Sequence, residues 1–184
     1  MSSIEITLPD GSKQPVAAGT CPIDIARSIG PRVADAAIVA KVDGELYDLA
    51  RPLEKDASVQ ILTAKDPESL EVYRHSAAHL LAAAVLELYP ETKLGIGPPI
   101  ENGFYYDFDR AAPFTPEDLE TIEKKMWEIQ ARDLPYERVY TRKDEGLRKY
   151  SDAWMKCELI GERAGEVFTE YTLGPRFIDF CRGP

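Results

Sequence analysis

The chain contains two histidines, His75 and His79, four residues apart in Arg74-His75-Ser76-Ala77-Ala78-His79. On a helix this spacing places both imidazoles on one face, one turn apart. Two chemistries fit. The pair could ligate one metal ion, or act as a general acid and base on water, since imidazole titrates near neutrality. Two imidazoles satisfied by structural hydrogen bonds are the alternative. A zinc site would need further ligands, and with no third histidine these would come from Cys181, Cys157 or a carboxylate.

Three other segments carry chemistry. Asn102-Gly103-Phe104-Tyr105-Tyr106-Asp107 sets tyrosine hydroxyls beside a turn. Adjacent tyrosines in a strand point to opposite faces, so one of them faces a given pocket and could meet a base or sugar. Phe104 reads as core. Asp179 and Cys181, two apart, share a face if the ending is extended. A carboxylate beside a thiol can orient a histidine or hold an ammonium group, although cysteine is more often a small buried hydrophobe. Lys156, within Trp154-Met155-Lys156-Cys157, has an apolar context able to desolvate its amine. Cys21 and Cys157 read as structural, and the Glu/Lys-rich helix over 117–128 as a solvated face.

These residues need elements to position them. Residues 1–64 read as a ββαβββ domain of β-grasp, ubiquitin-like type. Its strands run through Ile4-Ile6-Leu8, Val16, 37–42, 45–49 and 58–62. A helix opens near Thr20, Pro22 and Asp24 and is stopped by Gly30-Pro31. Residues 65–184 read as a second, α+β domain. Asp66 and Pro67 open a long helix that runs to about Tyr89, with Leu70, Tyr73, Ala77, Leu80, Leu81, Ala84, Val85 and Leu88 on its buried side. Two strands are expected around an Asn102-Gly103 turn, then a helix from Thr115 to about Arg132 and a strand over 136–140. Thr141 is expected to cap a short helix, with alternating strands and turns in the tail. The fold class is α+β, with the histidine-bearing helix packed on an antiparallel sheet.

Composition limits the partners. The 22 basic against 32 acidic residues give a net charge of −10, which weighs against autonomous nucleic-acid binding. The local bases Arg138, Arg142, Lys143, Arg148 and Lys149 are interspersed with acids. A nucleic-acid substrate would be held mostly by something outside this chain. No apolar run spans a bilayer and no signal peptide opens the sequence. Three cysteines without a CxxC pair suit a reducing compartment, so a cytoplasmic location is expected.

Taken together, Arg74-His75-Ser76-Ala77-Ala78-His79-Leu80-Leu81, Gly95-Ile96-Gly97-Pro98 through Asp107, and Asp179-Phe180-Cys181-Arg182-Gly183-Pro184 resemble the amino-terminal region of bacterial-type threonyl-tRNA synthetases. The first domain, with Ile6-Thr7-Leu8-Pro9-Asp10-Gly11-Ser12 and Asp24-Ile25-Ala26, looks like that family's TGS module. The resemblance implies that the second domain is an editing domain, which hydrolyses seryl-tRNA(Thr) made in error. Serine differs from threonine by one methyl group, which binding alone discriminates weakly.

By motif, the implied catalytic residues are His75, His79, Lys156 and Cys181. The histidines would position or activate water, and Lys156 would hold the water or stabilise the developing oxyanion. Tyr106 and Asp179, with Cys181, would line the pocket for the aminoacyl-adenosine end, Asp179 facing the substrate's α-ammonium. No cofactor is implied for editing. Zinc, ATP and magnesium belong to an aminoacylation core that lies outside this sequence. The implied partner is the 3′ aminoacyl end of tRNA(Thr), gripped mainly by other domains. A homodimer is implied for the full-length enzyme and a monomer for this chain.

The family motif continues Cys-Arg-Gly-Pro-His, one residue past Pro184. The chain is therefore expected to be an amino-terminal fragment that does not make threonyl-tRNA. Two alternatives stay open. One is a zinc-dependent deacylase, since related alanyl editing domains ligate zinc through HxxxH and Cys-x-x-x-His. The other is a non-catalytic TGS binding or regulatory module.

Overall fold

A computed structural model describes residues 2–184. The chain divides into two compact units, Met1–Tyr73 and Arg74–Gly183.

The first unit is built on β1 (Ser3–Thr7), β2 (Lys13–Ala17), β3 (Ala37–Val42), β4 (Glu45–Tyr47) and β5 (Ala57–Thr63), with helices α1 (Pro22–Ile29) and α2 (Pro31–Ala36). The sheet order is β2-β1-β5-β3-β4. β1 and β5 run parallel, and the other pairings are antiparallel. This is a β-grasp arrangement. The alternation of Ile4 and Ile6 turns both inward, where they meet Ile25 of α1 and Val42, Leu53 and Val59 in one core. Asp43 and Gly44 both have positive φ, as a two-residue turn of the favoured hairpin twist requires. Two details differ from the sequence-based expectation. Cys21 rather than Thr20 precedes α1, because the Thr20 hydroxyl is spent on the Ala17 carbonyl. Pro31, expected only to stop a helix, also opens α2, since its fixed φ suits a first helical position.

The second unit takes its frame from α3 (Pro67–Leu88), whose opening turns belong to the first unit. Next come the two-residue strands β6 (Lys93–Leu94), β7 (Pro99–Ile100), β8 (Gly103–Phe104) and β9 (Phe108–Asp109), then α4 (Pro116–Gln130) and β10 (Tyr136–Arg142). The chain closes with α5 (Lys143–Lys149), α6 (Trp154–Arg163), β11 (Val167–Leu173), a 3₁₀ turn at Gly174–Arg176 and β12 (Ile178–Phe180). β6 pairs with β9, β7 with β8, and β10, β11 and β12 form an antiparallel sheet in that order.

The core of this unit is a run of small residues on α3, Ala78, Ala82, Ala83, Ala84 and Val85, against Leu94, Tyr106, Ile122, Ile129, Leu173 and Phe177. Alanines let neighbouring elements approach the helix axis closely. Thr115 and Asp118 form a reciprocal capping box that fixes the start of α4.

Four expectations need correcting. Leu70 and Tyr73 are exposed, not on the buried side of α3. The hairpin turn is Glu101-Asn102, with Ile100 paired to Gly103, one residue earlier than read. Thr141 is a buried strand residue, and its hydroxyl donates to the Glu170 carboxylate instead of capping α5. The tail, expected to alternate strands and turns, contains the helix α6. Its apolar residues Trp154, Met155, Cys157, Leu159 and Ile160 are spread round the helix instead of forming one stripe, and of them only Ile160 is buried, against Phe168 and Phe180.

Candidate functional site

α3 presents His75 and His79 one turn apart, with ring centroids 4.9 Å from each other and planes crossed at 79°. His75 is half-buried and His79 is buried. The deeper ring lies near Phe177 and Tyr136, at 5.6 and 6.4 Å between centroids. Tyr136 donates its hydroxyl to the Ser76 carbonyl at 2.7 Å, which pins α3 to the start of β10. Burial is the main force on the His79 pKa, lowering it to about 4. The nearby Asp179 carboxylate pulls it up, and His75 and Lys156 push it down. At neutral pH His79 is a neutral imidazole.

Cys181 follows β12 directly and brings its Sγ to 3.7 Å from His75 Nε2. Burial pushes this thiol up to about 11, although the Gly183 N–H, at 3.2 Å from the sulfur, and Arg138 oppose that rise. It is a protonated thiol at neutral pH, not a thiolate nucleophile.

A second group lies beside the histidines. Lys156 on α6 and Asp179 on β12 are 1% and 2% exposed, and they pair at 2.5 Å from Nζ to Oδ1. Tyr106 donates its hydroxyl to the other carboxylate oxygen. Burial holds the Tyr106 phenol well above its usual range, and Asp179 reinforces this, so it remains a hydrogen-bond donor. Taking Lys156 out of water is unfavourable unless a partner compensates, and Asp179 is that partner. Both carboxylate oxygens are engaged, one by Lys156 and the other by Tyr106.

The sequence explains how Tyr106 gets there. Gly97 lies against its ring, where a Cβ would sit 2.2 Å from Tyr106 Cδ2. Phe108 stacks on the ring's other neighbourhood at 4.8 Å between centroids. The neighbouring Tyr105 points outward and is exposed. Thus Gly95-Ile96-Gly97-Pro98 is the seat of the tyrosine.

All six residues singled out in the sequence fall into this one region of the second unit. His75, His79 and Cys181 also place a nitrogen, a nitrogen and a sulfur all within 4.8 Å of one another. That is a three-ligand set of the kind that leaves an open coordination position on zinc. Three neighbouring residues had no site role in the sequence reading. Tyr136 braces His79, Tyr171 sits opposite Asp179 in the sheet, and Arg138 donates to the Tyr171 hydroxyl at 2.9 Å and the Gly183 carbonyl at 2.8 Å. The alternation Tyr136-Glu137-Arg138-Val139-Tyr140 was the available signal, since every second residue of a strand shares a face.

Comparison with known proteins bears on this geometry. Residues 4–63 match the TGS domain. The whole chain aligns, at 52% identity over 186 residues, with 29% of the threonine–tRNA ligase of Pelobacter propionicus. The enzymes of Maricaulis maris and Hyphomonas neptunium are 50% and 49% identical over 98% of the chain, each alignment covering 28% of the relative. Along its whole length the chain is similar to part of bacterial threonine–tRNA ligases. It spans less than a third of the length of these relatives. The β-grasp unit is therefore a TGS domain, and the histidine pair lies in the α+β unit that follows it. Among the described residues no helix is long and apolar enough to cross a membrane.

Proposed function

We propose that the second unit is an editing site that hydrolyses the ester of seryl-tRNA(Thr), acting within a cytoplasmic threonyl-tRNA synthetase and needing no metal. One observation carries this reading. A histidine pair, a protonated thiol and a buried Lys156–Asp179–Tyr106 group converge on one place in a chain that aligns along its whole length with threonine–tRNA ligases.

The chemistry follows from the groups' states. Water attacks the ester carbonyl carbon, the bond from carbonyl to ribose oxygen breaks, and the ribose oxygen takes up a proton. His75, the more accessible imidazole, accepts the water's proton or orients the water. His79 is neutral and braced by Tyr136 and Phe177, and it holds the geometry on the helix. Lys156 supplies positive charge where the oxyanion develops, in surroundings where such a charge acts strongly. Asp179, itself held by the Tyr106 hydroxyl, fixes the ammonium of Lys156 and offers acceptor positions to the substrate amine. The partner is the aminoacylated 3′ end of tRNA(Thr). Selectivity against threonyl-tRNA comes from the room left for one methyl group, and a second hydrolytic step multiplies a weak binding preference.

The test is hydrolysis of seryl-tRNA(Thr) against threonyl-tRNA(Thr) by the wild-type chain and its His75→Ala variant. Loss of a general base costs about 10²–10⁴ in rate. Equal rates in the variant would remove His75 from the mechanism.

A second reading has its own observation. The His75, His79 and Cys181 ligand atoms are close enough to share one ion, as a zinc-dependent deacylase would require. Zinc at one equivalent, with hydrolysis lost on chelation and restored by zinc, would select it over the metal-free reading.

A further inference from the structure

β10 carries Tyr136, Arg138, Tyr140 and Arg142 at every second position, so these four side chains share one face of the sheet. The intervening Thr141 turns to the opposite face and donates to Glu170. The cross-strand register ties the first face to the catalytic group. Arg138 lies opposite Tyr171, and Tyr171 opposite Asp179. Tyr140 lies opposite Thr169, whose hydroxyl and carbonyl both bond to the backbone of Cys181. The row therefore begins under His79, at Tyr136, and leads outward past Cys181.

We propose that Arg138, Tyr140 and Arg142 form a track for the single-stranded 3′ end of an RNA whose terminal nucleotide enters the site. The proposal rests on the reading of that site as an aminoacyl-RNA hydrolase, and it adds the residues that take the nucleotides before the terminal one.

Three observations choose the occupant. Tyr140 is 62% exposed although it lies on the face that holds the buried site residues. An exposed aromatic ring flanked by cations is a surface on which an unpaired base stacks. Two guanidinium groups flank it on a chain of net charge −10, so the track differs in sign from the molecule's overall charge. Arg142 is free to exchange its partner, because its contact with Asp144 at 3.2 Å joins two exposed side chains and is worth little in water. Arg138 is the fixed end, clamped to Tyr171 and to the Gly183 carbonyl and lying 6.0 Å from the Tyr140 ring centre. It couples the track to the Cys181–Gly183 segment. Lys149 is not part of the track, since its ammonium is held by the buried Glu170 on the other face.

The full chain is titrated at low salt with a short single-stranded RNA ending in a free 3′-adenosine, and with a duplex of the same sequence, and binding is followed by amide-shift NMR. The expected result is shift changes confined to β10 and the facing residues of β11, stronger for the single strand. Tyr140→Ala should weaken binding about tenfold through lost stacking. Arg142→Gln should lower the salt dependence by ~0.7 in the log–log slope, one phosphate contact. Both residues are exposed, so both variants fold. Absent shifts, shifts elsewhere, equal binding of the duplex, or unchanged affinity in Tyr140→Ala would each overturn the track. His75→Ala separates this from the catalytic reading. It lowers hydrolysis about 10²–10⁴-fold and leaves the shift changes at Tyr140 and Arg142 in place, whereas a hydrolytically normal His75→Ala variant that keeps those shifts would remove His75 from the mechanism while the RNA contact along β10 stands.

Discussion

Lys156 and Asp179 tie the stability of the second unit to the proposed chemistry. A buried ammonium has to be compensated, and Asp179 does so at 2.5 Å with Tyr106 completing its hydrogen bonding. Lys156→Met leaves a buried carboxylate unpaired, and the expected loss is about 3–5 kcal/mol in urea denaturation. Adding Asp179→Asn removes that charge and keeps an acceptor for Tyr106, so the double variant should regain part of the stability but none of the hydrolysis. Recovery of both would make the pair purely structural.

His79 gives a second prediction at this scale. Its pKa falls from 6.5 unfolded to about 4 folded. The unfolded chain thus takes the proton first, and stability present above pH 6.5 is lost as pH falls toward 4. The difference is about 3 kcal/mol. In a His79→Gln variant this component of the acid sensitivity disappears, while an unchanged pH dependence would contradict the burial assigned to the ring.

Among the elements, the turn before Tyr106 has the least slack. Gly97→Ala would drive a methyl group into the Tyr106 ring, since the added Cβ falls 2.2 Å from it. The expected cost is about 1–3 kcal/mol, with a loss of hydrolysis larger than the stability change explains, because the ring carries the hydroxyl that holds Asp179. Normal activity in a folded Gly97→Ala protein would show that the ring's position is unimportant.

Much of this architecture was legible in the sequence. Ile4 and Ile6 announced β1, Thr115 with Asp118 announced α4, and the HxxxH spacing announced a helix face. What stayed hidden depends on tertiary surroundings. Thr141 looks like a cap by type, but a buried carboxylate on β11 claims its hydroxyl. α6 lacks a strong stripe, because its key inward residue is a lysine paired with an aspartate 23 positions away. Leu70 and Tyr73 obey the helical period yet lie exposed. Arg138 was visible only as one of several bases, since its role depends on the register that sets it opposite Tyr171.

For the whole molecule, under the proposed editing role, a net charge of −10 leaves most of the grip on a tRNA to groups outside this chain. The most direct test places this chain in the corresponding region of the Pelobacter propionicus enzyme, to which it is 52% identical. Release of serine from seryl-tRNA(Thr) and of threonine from threonyl-tRNA(Thr) is then followed, with and without His75→Ala. The expected result is rapid loss of the seryl ester, sparing of the threonyl ester, and persistence of seryl-tRNA in the variant. Clearance of seryl-tRNA at the same rate in both proteins would contradict it.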